Sequence, residues 1–238
     1  MIDIHSHLIY GVDDGAKTLE DSVSIIKDLK NWGYTDLIIT PHYITETVYT
    51  SPRQDNRIKL AKIQNRLRDE DIDINIYLGN EIYIDRGIED LLKNYQISPL
   101  ADTKFLLIEL PMSGEFDDYE SILTSLVLKG YRVILAHPER YHSFQKNYKK
   151  IEYLYNNGIF LQVNLGSLTG KYGKKAEKLA KKLLKDDLVF TLATDIHHKT
   201  DTSKFIDALK KLEKCVGAIK ADELLNKNPR QILESMIK

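Results

Sequence analysis

The chain opens with Met1-Ile2-Asp3-Ile4-His5-Ser6-His7, a short apolar run that ends in two histidines. Similar apolar runs recur along the chain between stretches with helical spacing, which is typical of strands that helices cover on both faces. Seven runs are found, at Met1–Ile4, Leu37–Thr40, Ile72–Leu78, Phe105–Ile108, Val133–Ala136, Phe160–Val163 and Leu188–Ala193. This alternation predicts an α/β protein with a parallel sheet, and periodicity alone does not choose between a barrel and an open doubly wound sheet.

The stretches between the runs predict amphipathic helices with recognisable ends. The helix predicted from Thr18 to Asn31 is followed by Gly33, a residue typical of helix ends. Further helices are predicted at Ser121–Lys129, Tyr148–Asn157 and Lys174–Lys185. Two loops, Ile44–Arg57 and Pro111–Glu120, follow predicted strands directly and are long for such connections, so they are candidate walls of a site.

Composition and charge exclude several classes of protein. The 34 Lys and Arg residues balance 35 Asp and Glu residues, which argues against a large basic surface for nucleic acid. No apolar stretch approaches the ~18 residues of a membrane span, and the first residues lack a signal-peptide pattern, so we expect a cytoplasmic protein. The single cysteine, Cys215, cannot form an intrachain disulfide. No linker interrupts the chain, and residues 1–238 are predicted to form one domain.

Imidazoles and carboxylates stand at the carboxyl ends of the predicted strands. Eight residues share this placement: His5, His7, Glu81, Glu109, His42, His137, Asp195 and His197. In a parallel α/β protein these ends converge on one face, so residues distant in sequence become neighbours. A single histidine there is more often a hydrogen-bonded residue than a ligand. Eight polar groups on one face, however, would be costly to bury without a cation, and imidazole with carboxylate suits Zn²⁺, Mn²⁺ or Fe²⁺.

The order of these motifs resembles a known family, the PHP (polymerase and histidinol phosphatase) proteins. The resemblance spans the chain and includes His5-Ser6-His7, Pro41-His42 and Asp195-Ile196-His197. More narrowly, Val12–Gly15, Glu81–Tyr83 and Ala136–Tyr141 resemble the metal-dependent protein-tyrosine phosphatases of bacterial capsular and exopolysaccharide operons. The resemblance implies a distorted (β/α)₇ TIM-like barrel with a metal site at the carboxyl ends of its strands.

The resemblance also implies three divalent ions, with Mn²⁺ expected first and Fe, Zn or Mg as alternatives. The implied ligands form three groups: His5, His7, Glu81 and Asp195; Glu81, Glu109 and His137; and Asp14, His42 and His197. Glu81 would bridge the first two ions. Asp13 is an alternative to Asp14, because the spacing does not separate two adjacent residues.

Arg140 is the candidate for binding the substrate phosphate, since a guanidinium matches phosphate geometry better than a lysine does. A surface ion pair with Glu139 is the alternative role for this arginine. Members of the branch often have an arginine a few residues after the final histidine. The corresponding stretch here offers only Lys199 and Lys204 as further substrate-binding candidates.

The implied reaction is hydrolysis of phosphotyrosine by metal-activated hydroxide, without a covalent cysteine intermediate. A tyrosine leaving group has an ordinary pKa of about 10 and needs little protonation. Either a metal-bound water or His42 could supply that proton. Cysteine-dependent phosphatases need an arginine six residues after the nucleophile, and Ala221 stands at that offset from Cys215. The sequence therefore excludes the thiolate route.

The implied partner is a bacterial tyrosine autokinase, whose dephosphorylation would regulate capsular or exopolysaccharide synthesis. No nucleic acid partner is expected. Two alternatives stay open: another PHP phosphoesterase, acting on histidinol phosphate or on nucleotide or DNA diesters, and a metal-binding regulator without catalysis. The sequence leaves the oligomeric state open, a homo-oligomer included.

Overall fold

The computed structural model describes residues 1–113, 117–199 and 202–236, without the side chains of residues 117, 118 and 202–204. Within these ranges the strands are β1 (Ile2–Asp3), β2 (Asp36–Ile39), β3 (His42–Tyr43), β4 (Asn75–Leu78), β5 (Glu81–Tyr83), β6 (Phe105–Glu109), β7 (Arg132–Ala136), β8 (Phe160–Asn164) and β9 (Thr191–Ala193). Each of the seven predicted runs overlaps a strand.

The described helices are α1 (Leu19–Asn31), α2 (Arg53–Asp69), α3 (Ile88–Lys93), α4 (Asp117–Leu128), α5 (His142–Lys146), α6 (Lys149–Asn156), α7 (Gly173–Lys185), α8 (Thr202–Val216), α9 (Ala218–Asp222) and α10 (Asn228–Glu234). Thr18 begins α1 with a reciprocal side-chain cap, because its hydroxyl accepts from the Asp21 N–H and the Asp21 carboxylate accepts from the Thr18 N–H. Gly33 follows α1 with a left-handed φ of 93°, as predicted for a helix end. Among the described helices, none has the length and apolar character needed to cross a bilayer.

All paired strands run parallel, and they form two sheets that together make up the wall of one barrel. One sheet has the order β1-β2-β4, and the other has the order β3-β5-β6-β7-β8-β9. Strand β3 follows β2 after a break at residues 40–41, and β5 follows β4 after a break at residues 79–80. The register continues across both breaks, with Ile39 opposite Leu78 and His42 opposite Glu81. The described chain therefore contributes seven strand crossings to the wall, where a crossing is one passage of the chain from the amino end to the carboxyl end of the barrel. Two of these crossings, β2–β3 and β4–β5, are interrupted.

The first and last crossings meet just beyond β1 and β9. Ser6 and Ile196 form a parallel bridge, and the Asp195 N–H donates to the His5 carbonyl at 3.0 Å. The buried Asp3 carboxylate accepts from the Thr194 N–H at 3.0 Å and strengthens this junction. These contacts lie at the carboxyl end of the wall, so that end is closed. The expectation of a distorted seven-fold barrel is confirmed, and the open-sheet alternative is wrong.

Alternate strand residues enter two different apolar layers. In β6, Phe105 and Leu107 pack in the barrel interior, whereas Leu106 and Ile108 face the surrounding helices. Ile232 on α10 belongs to the interior cluster. Helix α10 therefore covers the amino end of the barrel, and the carboxyl end is left for polar side chains.

The run Ile72–Leu78 is a strand only from Asn75. Asp71 has a left-handed φ of 52°, and the Ile72 N–H donates to the Leu67 carbonyl, so the first residues of the run finish the turn after α2. Strand β4 also pairs only with β2 among the described strands. Its alternating polarity, which the sequence showed, fits a strand with one partly solvated face.

Glu139 is a fully buried carboxyl that joins β7 to the end of β8. Its Oε1 accepts from the Asn164 N–H at 3.0 Å and from the Ser167 hydroxyl at 2.6 Å. Its Oε2 has no hydrogen-bond partner among the described residues. Burial raises the pKa of Glu139 to about 7, and these hydrogen bonds only partly oppose the increase.

We expect the metal-free Glu139→Gln variant to lose less stability than the wild type between pH 5 and pH 8. The raised pKa means that the native state binds a proton more tightly than the unfolded chain. The stability from this proton is complete below the ordinary pKa of about 4.5 and is lost as the pH rises through about 7. The uncharged variant should avoid up to about 3 kcal/mol of this loss. Urea unfolding at both pH values measures the difference, and Glu152→Gln, at an exposed position on α6, is the control. Equal pH dependence in Glu139→Gln and wild type would contradict this prediction.

Candidate metal centre

Glu81 stands at the centre of the carboxyl end of the barrel. Its carboxylate is buried, and imidazole nitrogens surround both of its oxygens. The Oε2 atom lies 3.1 Å from His5 Nε2, 3.2 Å from His7 Nε2 and 3.0 Å from His42 Nδ1. The Oε1 atom lies 2.8 Å from His137 Nε2. Histidines from three different strand crossings thus meet at one carboxylate, as the sequence predicted.

Asp195 and Glu109 border this centre from two sides. Asp195 Oδ1 lies 3.5 Å from His5 Nε2 and 3.6 Å from His7 Nε2. Glu109, the last residue of β6, lies 3.7 Å from His137 Nε2 and 3.6 Å from His42 Nδ1. The backbones of His137 and Asp195 have left-handed φ angles of 33° and 50°. Such strain in non-glycine residues clusters at functional sites, where the surrounding structure maintains it.

The structure separates the roles of the adjacent acids Asp13 and Asp14. Asp14 Oδ1 lies 3.6 Å from His42 Nε2 and 3.4 Å from His197 Nε2, so it faces a candidate ligand group. Asp13 Oδ2 instead lies 2.9 Å from His7 Nδ1 and accepts from the backbone N–H of His42. The geometry favours Asp14 as the ligand and Asp13 as the residue that orients His7.

The donor atoms fall into three groups, in each of which they lie within 4.8 Å of one another: His7, Asp14, His42 and His197; His5, His7 and Glu81; and His42, Glu81 and Glu109. His7 and His42 each contribute to two groups, whereas the resemblance implied one for each, and these three groups do not include His137 or Asp195. Glu81 Oε2 and His42 Nδ1 are buried and lie 3.0 Å apart, but neither atom has a hydrogen bond of good geometry among the described residues. Buried polar atoms normally have partners, and a nitrogen and oxygen donor set of this kind suits Mn²⁺, Fe²⁺ or Zn²⁺. The residues present therefore fit a metal cluster.

The two carboxylates nearest the centre differ in charge. Burial disfavours ionisation of Glu81, but His5 and His42 hold its pKa well below the usual range. Burial and the neighbouring charge of Glu81 raise the pKa of Glu109 to about 8. Burial lowers the pKa of His137 and so favours the neutral imidazole, which is the form that binds metals. The surroundings therefore favour the ionised form of Glu81 and the protonated form of Glu109.

Two side chains that the sequence analysis did not single out orient these ligands from β8. Gln162 Oε1 lies 2.9 Å from His5 Nδ1, and Gln162 Nε2 donates to Asn164 Oδ1 at 2.8 Å. Asn164 Nδ2 in turn donates to Asp195 Oδ2 at 2.6 Å. A proton on His5 Nδ1 leaves its Nε2 free for an ion. The available signal was the alternation of amide residues in an otherwise apolar strand.

The candidate phosphate-binding residues are placed differently from one another. Arg140 Nη1 donates to Asp195 Oδ2 at 3.0 Å, so it lies beside the cluster and does not form the alternative ion pair with Glu139. Lys199 Nζ lies 3.3 Å from the Ser24 hydroxyl and is directed to α1. The Lys204 side chain lies outside the described residues. A substrate-binding role for either lysine stays a prediction.

The model of the family described as "Capsular polysaccharide synthesis, CpsB/CapC" matches residues 1–234. The chain belongs to this family. The tyrosine-protein phosphatase YwqE of Bacillus subtilis is 34% identical over 92% of this chain and 86% of its own length. The tyrosine-protein phosphatase CpsB of Streptococcus pneumoniae is 29% identical over 98% of both chains. The sequence-based assignment to the capsular branch is confirmed.

Solved structures agree with the CpsB/CapC assignment. A structure from a study of YwqE and CpsB, described as unique metal-dependent tyrosine phosphatases, has a TM-score of 0.91 at 32% identity and covers 100% of this chain and 96% of that chain. The histidinol phosphate phosphatase of Lactococcus lactis has a TM-score of 0.61 at 15% identity, with 90% of this chain and 93% of that chain covered. The second likeness shows the shared fold alone.

We expect Gly15→Ala to weaken metal binding in the group that contains Asp14. A Cβ atom at Gly15 would lie 2.1 Å from the His7 carbonyl oxygen, so the turn that presents Asp13 and Asp14 would have to move. Elemental analysis after equilibration with Mn²⁺ should find about one ion fewer per chain, because a displaced ligand loses its geometry.

Gly87→Ala is the matched control, since its Cβ would approach only the flexible Asp85 side chain, at 3.0 Å. Asp14→Asn tests the same group without crowding, because the Asp14 side chain is half exposed. Unchanged Mn²⁺ content in both Gly15→Ala and Asp14→Asn would contradict a metal site at Asp14.

Proposed function

We propose that the chain is a cytoplasmic, metal-dependent protein-tyrosine phosphatase that acts on a bacterial tyrosine autokinase and regulates capsular or exopolysaccharide synthesis. The observation that supports this proposal is the convergence of nine imidazole and carboxylate side chains, Glu81 included, at the carboxyl end of the barrel, with Arg140 beside them. The relatives named tyrosine-protein phosphatases in the same family point to phosphotyrosine as the substrate. We also propose that residues 1–238 form one domain.

The proposed cluster contains three divalent ions, with Mn²⁺ first. Bound ions would lower the pKa of a water molecule and offset the negative charge of a phosphate. Glu81 contributes a carboxylate that is ionised and reaches four imidazoles, and Glu109 supplies a second carboxylate whose ionisation is coupled to added positive charge. The donors that set the metal geometry are thereby fixed by the protein before substrate arrives.

Arg140 has the contacts expected of a phosphate-binding residue. One of its five N–H groups is used by Asp195, and its side chain is 26% exposed, so other N–H groups can reach a ligand. Burial disfavours its charged form, but the nearby carboxylate of Asp195 raises the pKa of Arg140, and the side chain stays charged. We infer that the remaining N–H groups bind the non-bridging phosphate oxygens.

His42 is better suited to bind metal than to protonate the leaving group. Its Nδ1 faces Glu81 and Glu109, and its Nε2 faces Asp14, so both ring nitrogens point into ligand groups. The proton-donor role stays a prediction with less geometric support. The low proton demand of a phenolate leaving group is consistent with a site that has no dedicated acid.

We propose that the segment after β3 forms one wall of the site. The Ile44 N–H donates to the Tyr49 carbonyl at 2.8 Å and closes a compact turn. The Tyr49 ring stacks on His42, with 5.9 Å between ring centroids and 18° between planes. We propose that this ring borders the phenyl group of phosphotyrosine. The other predicted wall includes residues 114–116, which lie outside the described residues.

Removing the metal should abolish hydrolysis of a phosphotyrosine peptide, and adding Mn²⁺ should restore it. His137→Ala should lower kcat by at least about 100-fold after reloading, because it removes a proposed ligand rather than an outer partner of one. Initial rates and bound metal are measured together for each protein. Full activity of the wild type in the presence of a chelator would contradict the proposed mechanism.

The same assay separates the alternatives. Histidinol phosphate and a bis-aryl phosphodiester are compared with the phosphotyrosine peptide in Mn²⁺-loaded protein. Preference for either competitor would favour another PHP phosphoesterase, and no hydrolysis of any of the three would favour a regulator. Cys215→Ser is the control, since Cys215 lies near the end of α8 and packs against the helix layer. This substitution should leave kcat unchanged.

Arg140→Ala should raise KM for the phosphotyrosine peptide by about 10- to 100-fold, with a smaller effect on bound Mn²⁺. A charged hydrogen bond contributes about 1.5–3 kcal/mol, which corresponds to this range. Arg140→Lys retains the positive charge but not the two-pronged guanidinium donor, so its KM should lie between those of Arg140→Ala and the wild type. A KM equal to that of wild type in Arg140→Ala would remove Arg140 from the binding site.

A further inference from the structure

Arg140 lies against the aromatic ring of Tyr172. The guanidinium carbon is 4.5 Å from the ring centroid, a distance typical of a cation stacked on an aromatic face. The Tyr172 hydroxyl donates to Asp195 Oδ2 at 3.2 Å, and Arg140 Nη1 donates to the same oxygen at 3.0 Å. The Arg140 guanidinium, the Tyr172 side chain and the Asp195 carboxylate therefore each contact the other two, beside the ligand cluster.

The backbone holds the Tyr172 ring in place. Tyr172 directly precedes α7, where Gly173 has a left-handed φ of 88°. The neighbouring turn of residues 165–169 brings Gly166 close, and a Cβ at Gly166 would lie 3.5 Å from Tyr172 Cε2. The ring is thus held between a turn and the first residues of a helix, and it offers Arg140 a fixed surface.

A fixed surface matters because arginine has a long, flexible side chain. Ordering such a side chain on binding costs conformational entropy, and a side chain already ordered in the free protein avoids this cost. The bond to Asp195 fixes one N–H of Arg140, but a single bond leaves the guanidinium plane free to rotate about it. The stacked ring removes that freedom.

We propose that Tyr172 is a positioning residue whose aromatic ring fixes the plane of Arg140, so that its unused N–H groups face the substrate phosphate. This inference rests on the proposed function, in which Arg140 binds phosphate. The ring, rather than the hydroxyl, carries the effect. Asp195 Oδ2 already accepts from Asn164 Nδ2 at 2.6 Å and from Arg140, so the longer bond from the Tyr172 hydroxyl adds a third donor.

The ring and the hydroxyl are separated by Tyr172→Phe and Tyr172→Leu. In Mn²⁺-loaded protein, Tyr172→Leu should raise by about tenfold both the inhibition constant of inorganic phosphate and KM for a phosphotyrosine peptide. Its kcat should stay within about twofold, and its Mn²⁺ content should match wild type. Tyr172→Phe retains the ring and should stay within about twofold in every quantity. The rise in melting temperature on adding phosphate gives a binding readout that does not depend on turnover.

Tyr148→Leu is the matched control. The Tyr148 ring also carries a cation, Lys182 Nζ at 3.1 Å from its centroid, and its hydroxyl donates to Asp186. Lys182 lies on α7 ten residues after Tyr172, which is about 15 Å along the helix. The substitution removes the same kind of contact and should leave phosphate inhibition unchanged.

Three outcomes would overturn the proposal. They are an unchanged phosphate inhibition constant in Tyr172→Leu, an equal defect in Tyr172→Phe, and loss of Mn²⁺ in Tyr172→Leu, which would assign the effect to Asp195. Failure of the wild type to hydrolyse phosphotyrosine would instead reject the proposed function. The phosphate-dependent melting temperature would then still report whether Tyr172 positions Arg140.

Discussion

Four imidazole nitrogens within 3.2 Å of one buried carboxylate set the main physical constraint on this protein. Burial disfavours the ionised form of Glu81, but the facing imidazoles of His5, His42 and His137 hold its pKa well below the usual range. The four imidazoles cannot all be cationic at once, since like charges repel at these distances and burial lowers the pKa of His137. Such an arrangement is best satisfied by cations that replace protons. Three features place the side chains for this contact between Glu81 and the histidines. They are the convergence of the strand ends, the strained backbones of His137 and Asp195, and the polar residues of β8.

Much of this arrangement was accessible from the sequence because strand ends in a parallel barrel share one face. Placing His5, Glu81 and Asp195 at strand ends was enough to predict that they meet, whatever the barrel's exact shape. The family and the barrel class are confirmed. The ligand roles of the individual residues stay predictions, although the structure brings all nine side chains together.

Other features depend on angles and pairings that a linear pattern does not contain. Asp13 and Asp14 are adjacent and chemically identical, so only the fold of their turn shows that one faces His7 and the other His197. The two ring nitrogens of His42 face different groups, which depends on its rotamer. The contact between Arg140 and Tyr172 joins residues 32 positions apart in sequence through packing of α7, and no local motif indicates it.

The breaks at residues 40–41 and 79–80 also couple the two ends of the barrel. Asn80 connects the second break to the first, because its side chain donates to the Pro41 carbonyl and also accepts from the Ser98 N–H. The pairs Ile39–Leu78 and His42–Glu81 have the same register. The pairing of the apolar strands β2 and β4 therefore determines where the polar residues of β3 and β5 lie. A slip of one residue would turn Glu81 away from the histidines. Loops around the rim can therefore change in length during evolution, whereas the distance counted from core to ligand cannot.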